Sequence, residues 1–199
     1  MRKTNFLINV LFLFFLNIHA SENINNDIAE SIIDSSSRYN IEEELMFSIF
    51  DIESNLHMLA ICVVLENKKA KHLGFLLTKN KIKHKIKNYK KKKIVSIDPS
   101  NKNKAIKALF LVKKTGSLKY DLGLGQINKR KIIDYNWDEE KILTNVAYNV
   151  ARSAFIIRGC MNIHKNSKDA IECYNKGEHG DYSKYDYFAK VYKKYHKLF

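Results

Sequence analysis

Residues 45–55 read Leu-Met-Phe-Ser-Ile-Phe-Asp-Ile-Glu-Ser-Asn, an apolar run that ends in a carboxylate. Leu45, Ile49 and Glu53 are separated by four residues each, so on a helix they lie along one face. The apolar neighbours on that face predict that the carboxyl group of Glu53 points toward the core. Because burial disfavours a charged carboxylate, we expect the pKa of Glu53 to be raised.

A glutamic acid that keeps its proton near neutral pH can protonate a glycosidic oxygen, as an enzyme that cleaves sugars requires. Glu53 is therefore the first candidate catalytic residue. The alternative is a solvated glutamate at the end of a helix, since Ser54 and Asn55 both favour helix ends.

The first 20 residues have the organisation of a secretory signal. Arg2 and Lys3 supply the positive end, residues 6–16 are almost entirely apolar, and Ala20 offers a cleavage site. The apolar run is too short to span a bilayer comfortably, and the alternative is a retained amphipathic anchor. We therefore predict an exported, soluble protein whose mature domain covers residues 21–199.

The mature chain is long enough for one domain with its own core. Removing the signal takes away two positive charges and no negative ones, so the net charge falls from +14 to +12. A basic exported protein suits an anionic partner such as a cell-wall polymer, lipid headgroups or nucleic acid. One proline and seven glycines in the whole sequence argue against long disordered linkers.

Apolar spacing predicts an α+β fold that is mostly α. Besides the helix that carries Glu53, the predicted helices cover residues 27–37, 103–114, 138–157, 168–175 and 186–199. Gly116, Gly159 and Gly177 are expected to end three of them. Residues 59–66 are β-branched and apolar, which is typical of a buried strand.

Residues 67–97 form a segment with twelve lysines and no acid. Within it, lysines alternate with Ile82, His84 and Ile86, the period of a strand with one solvated face. We predict a Lys-rich β insertion here, with a small basic β lobe over residues 73–97 and a hairpin turn at 78–81. Its lysines form a solvated face or, alternatively, a site for a polyanion.

Residues 121–128 read Asp-Leu-Gly-Leu-Gly-Gln-Ile-Asn and predict a glycine-containing loop. Glycines on both sides of a leucine let the backbone approach a ligand or another strand closely. The amides of Gln126 and Asn128 are placed to meet the N-acetyl and hydroxyl groups of a sugar. An ordinary tight turn is the alternative.

The three cysteines are an odd number for an exported chain. Pairing Cys160 with Cys173 would tie two predicted helices together in an oxidising compartment and leave Cys62 as a buried thiol. The cysteines and histidines do not have the spacing of a structural zinc site. We expect neither a metal nor a cofactor.

In this order, the segments resemble the soluble lytic transglycosylases, a goose-lysozyme-like family that cuts peptidoglycan. Glu53-Ser54 matches the family's catalytic Glu-Ser pair, residues 123–126 its Gly-Leu-Met-Gln motif, and residues 173–177 its Ala-Tyr-Asn-Ala-Gly motif. Asn145-Val146 resembles the Asn-Ile that opens a later helix. The long segment between Glu53 and the glycine motif resembles members that serve type IV secretion and conjugation, and the cysteine before the Tyr-Asn pair resembles those of type III systems and pili.

The resemblance implies a lysozyme-like fold and a periplasmic, wall-associated enzyme that opens the cell wall for such an apparatus. We expect a monomer. Glu53 would protonate the oxygen between N-acetylmuramic acid and N-acetylglucosamine, then deprotonate the muramic C6 hydroxyl, which attacks C1 and leaves a 1,6-anhydro product. Tyr174 would hydrogen-bond or orient Glu53, and Asp121 would be a second carboxylate that stabilises positive charge at C1. The residues expected to bind substrate or support the acid are Ser54, Gln126, Asn128, Tyr174 and Asn175.

The sequence departs from the family at three positions. Cys173 and Lys176 replace small residues, and Asn149 stands where a glycine is usual. Three other functions remain open: a lysozyme that hydrolyses the same bond, a non-catalytic wall-binding assembly protein, and a nucleic-acid binder that uses residues 67–97. Export and the small number of aromatic residues in that segment disfavour nucleic acid.

Overall fold

The computed structural model describes residues 26–199, and the predicted signal at 1–20 lies outside these residues. The prediction of a mostly helical α+β fold is confirmed. The helices are α1 Asn26–Tyr39, α2 Glu43–Ser54, α3 Asn67–Lys79, α4 Lys102–Lys114, α5 Lys129–Asp134, α6 Glu139–Thr144, α7 Val146–Ile163, α8 Ser167–Lys176 and α9 Asp186–Leu198. The strands are β1 Ile61–Leu65, β2 Lys83–Tyr89, β3 Lys92–Asp98, β4 Tyr120–Leu122 and β5 Ile127–Asn128.

The strands form one antiparallel sheet in the order β2-β3-β1-β4-β5. Successive side chains of a strand point to opposite faces. On one face, Val63 and Val95 pack against α3 and α4 through Leu73, Leu77 and Val112. This packing forms the first core and leaves the other face free to line a cleft.

A second core lies among the helices α1, α2, α7, α8 and α9. Its centre includes Ile32, Phe50, Val150 and Val191, all at most 2% exposed. The glycine loop joins the two cores, because Leu122 and Ile127 lie in the first and Leu124 lies in the second.

The prediction of β structure over the whole of 73–97 is wrong in its first part. Residues 67–79 form a helix, the strands begin at Lys83, and the hairpin turn lies at residues 90–91 rather than 78–81. Ala70, Leu73 and Leu77 are buried at helical spacing, but the lysines between them hid this apolar stripe.

The single helix predicted for 138–157 is also wrong. Asn145 is extended, with φ −119° and ψ 110°, so it separates α6 from α7. Its side chain accepts a hydrogen bond from the backbone nitrogen of Tyr148 and caps α7. The helix then continues through Gly159 to Ile163.

The predicted disulfide is confirmed, since the Sγ atoms of Cys160 and Cys173 are 2.06 Å apart and join α7 to α8. Such a bond is typical of an oxidising compartment. Cys62 is a free thiol, as expected; its side chain is partly buried and faces the cleft. Among residues 26–199, no helix is both long enough and apolar enough to cross a membrane.

Candidate active site

A row of side chains crosses the free face of the sheet from edge to edge. Lys85 pairs with Ser96, Ser96 with Cys62, Cys62 with Asp121, and Asp121 with Asn128. Residues directly opposite one another in antiparallel strands share a face. This row therefore forms one wall of the cleft, and the ends of α2 and α8 form the wall that faces it.

The cleft consists of two cavities of about 500 Å³ and 490 Å³. Glu53, Cys62 and Gln126 line both cavities and mark where they meet. One cavity continues toward Arg130 and Lys131, and the other continues along the β2–β3 side of the sheet. An extended polymer can therefore occupy both sides of Glu53 at once.

The predicted shift of Glu53 is confirmed, because burial raises its pKa to about 7. Hydrogen bonds from Tyr187 and Asn175 lower the pKa of Glu53, and the negative charge of Asp121 raises it. The tyrosine hydroxyl donates to Oε1 of Glu53 at 2.5 Å. About half of the Glu53 side chains therefore carry a proton at neutral pH, in a position that a ligand in the cleft can reach.

The structure corrects the predicted partner of Glu53. The hydroxyl of Tyr174 donates to the carbonyl oxygen of Gly125 at 2.6 Å. The hydrogen bond to Glu53 that we predicted for Tyr174 is made by Tyr187 instead. Tyr187 is buried on α9 and lies 134 residues from Glu53 along the chain. Sequence reasoning missed this contact, because only folding brings the two residues together.

Glu172 is a second residue that sequence reasoning missed. Its side chain is fully buried, and Oε1 accepts hydrogen bonds of 2.8 Å from the backbone nitrogens of Tyr187 and Phe188. The Nζ atom of Lys176 lies 3.0 Å from the other carboxylate oxygen. Glu172 therefore caps the start of α9 and holds the backbone from which Tyr187 reaches Glu53.

Asn149 holds the glycine loop in place. The buried amide donates through Nδ2 to the carbonyl oxygens of Leu122 and Ile142 and accepts through Oδ1 from the backbone nitrogen of Gly125. Gly123 has φ +74°, and a Cβ atom there would lie 2.2 Å from Nδ2 of Asn149. Asn149 thus bonds the loop that carries the predicted site.

Gln126 lines both cavities as predicted, but its amide nitrogen has backbone partners. Nε2 donates to the carbonyl oxygens of Gly123 and Ala60 at 2.8 Å and 3.2 Å. Ser54 also has an internal role, because its hydroxyl donates to the carbonyl oxygen of Phe50. Both residues shape the cleft through these bonds.

Asp121 and Asn128 lie beside each other on β4 and β5. Burial raises the pKa of Asp121 to about 6, and the hydrogen bond from Nδ2 of Asn128, 2.7 Å long, opposes that shift. Oδ1 of Asn128 accepts from the backbone nitrogen of Arg130 and caps α5. The structure brings the predicted site residues together: Glu53, Asp121, Gln126, Asn128, Tyr174 and Asn175 line one cavity, and Ser54 lines the other.

Cys62 faces both carboxyl groups, yet it is a poor nucleophile. Burial raises the pKa of its thiol to about 12, and the negative charges of Asp121 and Glu53 add to the shift. The reactive thiolate is therefore scarce at neutral pH. Within residues 26–199, no group of three or more His, Cys, Asp or Glu side chains is placed to hold a metal ion.

Replacing Tyr187 by phenylalanine is expected to raise the pKa of Glu53 further. The lost hydrogen bond stabilises the carboxylate, so we expect a shift of about one pH unit upward. A ¹³C NMR titration of the Glu53 carboxyl carbon measures this shift without relying on activity. Tyr192→Phe, an exposed tyrosine on the same helix, is the control and should leave the titration unchanged. An unchanged or lowered pKa in Tyr187→Phe would contradict the assignment of this contact.

Comparison with protein-family models, with curated proteins and with solved structures finds no match to this chain.

Proposed function

We propose that this protein is a lytic transglycosylase that cleaves the glycan strands of peptidoglycan in the periplasm. The observation that carries the proposal is the position of Glu53, a carboxyl group with a pKa of about 7 where two cavities of an open cleft meet. A general acid works best when its pKa lies near the working pH. A cleft that extends on both sides of the acid suits a polymer that is cut between two sugar units.

The hydrogen bond from Tyr187 defines which oxygen of Glu53 gives the proton. Because Oε1 accepts from the tyrosine hydroxyl, we assign the acidic proton to Oε2. Transfer of this proton to the glycosidic oxygen accompanies breakage of the bond between that oxygen and C1 of the muramic residue. The Glu53 carboxylate then removes the proton of the C6 hydroxyl, whose oxygen attacks C1. The acid is restored and the muramic residue ends in a 1,6-anhydro ring.

The neighbours of Glu53 support both halves of this cycle. Tyr187 and Asn175 form hydrogen bonds that stabilise the carboxylate after it has lost its proton. Asp121 has a pKa of about 6, so it is largely ionised at neutral pH and supplies negative charge when positive charge develops at C1. The two carboxyl groups thus have different roles: Glu53 transfers the proton, and Asp121 stabilises the positive charge that develops at C1.

Incubation of purified sacculi with the protein should release muropeptides that end in 1,6-anhydro-N-acetylmuramic acid. Mass spectrometry identifies them, because the anhydro product is lighter by one water than the product of hydrolysis. Products with a free reducing end would instead assign a lysozyme-type hydrolase. Intact sacculi at all pH values between 5 and 8 would favour the non-catalytic assembly protein.

The resemblance to the specialised transglycosylases supports a role in opening the wall locally for a secretion, conjugation or pilus apparatus. The small size of the domain and the Cys160–Cys173 disulfide suit such a periplasmic enzyme.

A further inference from the structure

Helices α3 and α4 form a strongly basic surface on the side of the sheet that faces away from the cleft. Together they carry nine lysines and neither aspartate nor glutamate. One of the nine, Lys113, pairs with Glu139 of α6. The sheet separates this surface from the cleft, because Val63 points toward the helices and its neighbour Cys62 points into the cleft.

The same surface is also apolar. A groove of about 610 Å³ runs between the two helices over Leu73, Leu76 and Leu111, and lysines from both helices stand at its edge. Each helix also carries an exposed phenylalanine. Phe75 of α3 is 65% exposed and Phe110 of α4 is 48% exposed. Single exposed apolar side chains are common, but an apolar groove with exposed rings beside it forms a larger patch, and such patches mark surfaces that bind a partner or a membrane.

Neither phenylalanine ring lines the groove itself. On α3, Phe75 follows Lys68 and His72 at helical spacing, and because these two residues line the groove, the ring lies just beyond its edge. On α4, the Nζ atoms of Lys107 and Lys114 lie 5.6 Å and 4.5 Å from the centroid of the Phe110 ring. A partner helix seated in the groove would leave both rings uncovered, whereas a flat interface would cover both.

We propose that the surface formed by α3 and α4 binds an anionic lipid bilayer. Lysines attract acidic headgroups, and phenylalanines beside them enter the boundary between headgroups and acyl chains. Because the cleft lies on the opposite side of the sheet, a protein bound in this way presents Glu53 away from the bilayer. The inference concerns a second surface and stands whether or not the cleft cleaves glycan.

Sedimentation with vesicles tests the surface. The protein should bind vesicles of phosphatidylcholine with 30% phosphatidylglycerol (about a third anionic lipid, enough to attract a basic surface) and should bind pure phosphatidylcholine far more weakly. The double variant Phe75→Ser/Phe110→Ser should lower the partition coefficient for the anionic vesicles by about tenfold or more, because it removes two large apolar side chains at unchanged charge. The matched control is Tyr89→Ser/Tyr192→Ser, which removes two exposed aromatic side chains elsewhere and should bind like the parent.

A tryptophan at position 75 gives a second readout. Fluorescence of Phe75→Trp should shift to shorter wavelength on addition of anionic vesicles, and that of Tyr89→Trp should not. No loss in Phe75→Ser/Phe110→Ser would show that charge alone causes binding, and equal loss in both serine double variants would show that binding does not depend on this surface; either result would overturn the proposal. Failure of the parent to sediment with anionic vesicles would overturn it as well and would leave the groove to an acidic protein partner.

Discussion

Replacing Glu53 by glutamine is expected to lower the rate of glycan cleavage by about 10²–10⁴-fold, the usual contribution of a general acid. Glutamine has the same shape but no proton to give, so binding in the cleft should persist while the bond stays intact. The release of soluble muropeptides from purified sacculi measures the loss. Glu43→Gln is the matched control, because it makes the same substitution at the first turn of the same helix, and it should retain full activity.

The stability of Glu53→Gln provides an independent check on the fold. The pKa of Glu53 is raised from 4.5 to about 7 by folding, so the folded protein holds this proton more tightly than the unfolded chain does. Below about pH 4.5 the carboxyl group of Glu53 therefore does not lower the free energy of unfolding. As the pH rises from about 4.5 to about 7, it lowers that free energy by up to about 3 kcal/mol. Glu53→Gln should consequently unfold at a higher urea concentration than the parent at pH 8 and at a similar one at pH 4.

Cleavage by the parent should follow the protonated fraction of Glu53. As the pH rises above about 7, that fraction falls about tenfold for each pH unit, and the rate should fall with it. Full activity in Glu53→Gln, or a rate that stays constant to pH 9, would remove Glu53 from the mechanism. A variant that is inactive but also less stable than the parent at pH 8 would show that the carboxyl group is not buried as described.

Replacing Gly123 by alanine is expected to destabilise the protein by about 2–5 kcal/mol, from the strain of a left-handed backbone together with overpacking. A Cβ atom at this position would lie 2.2 Å from the amide nitrogen of Asn149 and 2.7 Å from the carbonyl oxygen of Ile142. Asn149 is buried and cannot move away without losing its hydrogen bonds to Leu122, Ile142 and Gly125. Urea unfolding measures the effect.

Gly116→Ala is the matched control for this prediction. Gly116 has φ +71°, close to that of Gly123, but a Cβ atom there would meet nothing within 4 Å. Gly116→Ala should therefore lower the free energy of unfolding only by the backbone strain, about 1–2 kcal/mol. Equal losses in the two variants would mean that the approach of Asn149 to the glycine loop contributes nothing.

The sequence predicted most of the helical framework, because apolar residues at helical spacing report directly which face of each segment is buried. It predicted β1 from a different signal, the run of β-branched and apolar residues at 59–66. It failed at α3, where lysines between Ala70, Leu73 and Leu77 concealed the stripe, and at Asn145, where one extended residue divides a continuous pattern. Both failures arise because tertiary packing outweighs local composition.

By itself, the sequence determined that a glutamic acid ends an apolar helical stripe, that a glycine loop follows a strand, and that Cys160 and Cys173 are near enough along the chain to pair. Only the tertiary structure decided that Tyr187 bonds Glu53, that Glu172 holds the start of α9, and that Asn149 holds the glycine loop. Local spacing shows which face of a segment turns inward. The hydrogen-bond partners and the pKa of a buried group depend on side chains that folding brings together from distant parts of the chain.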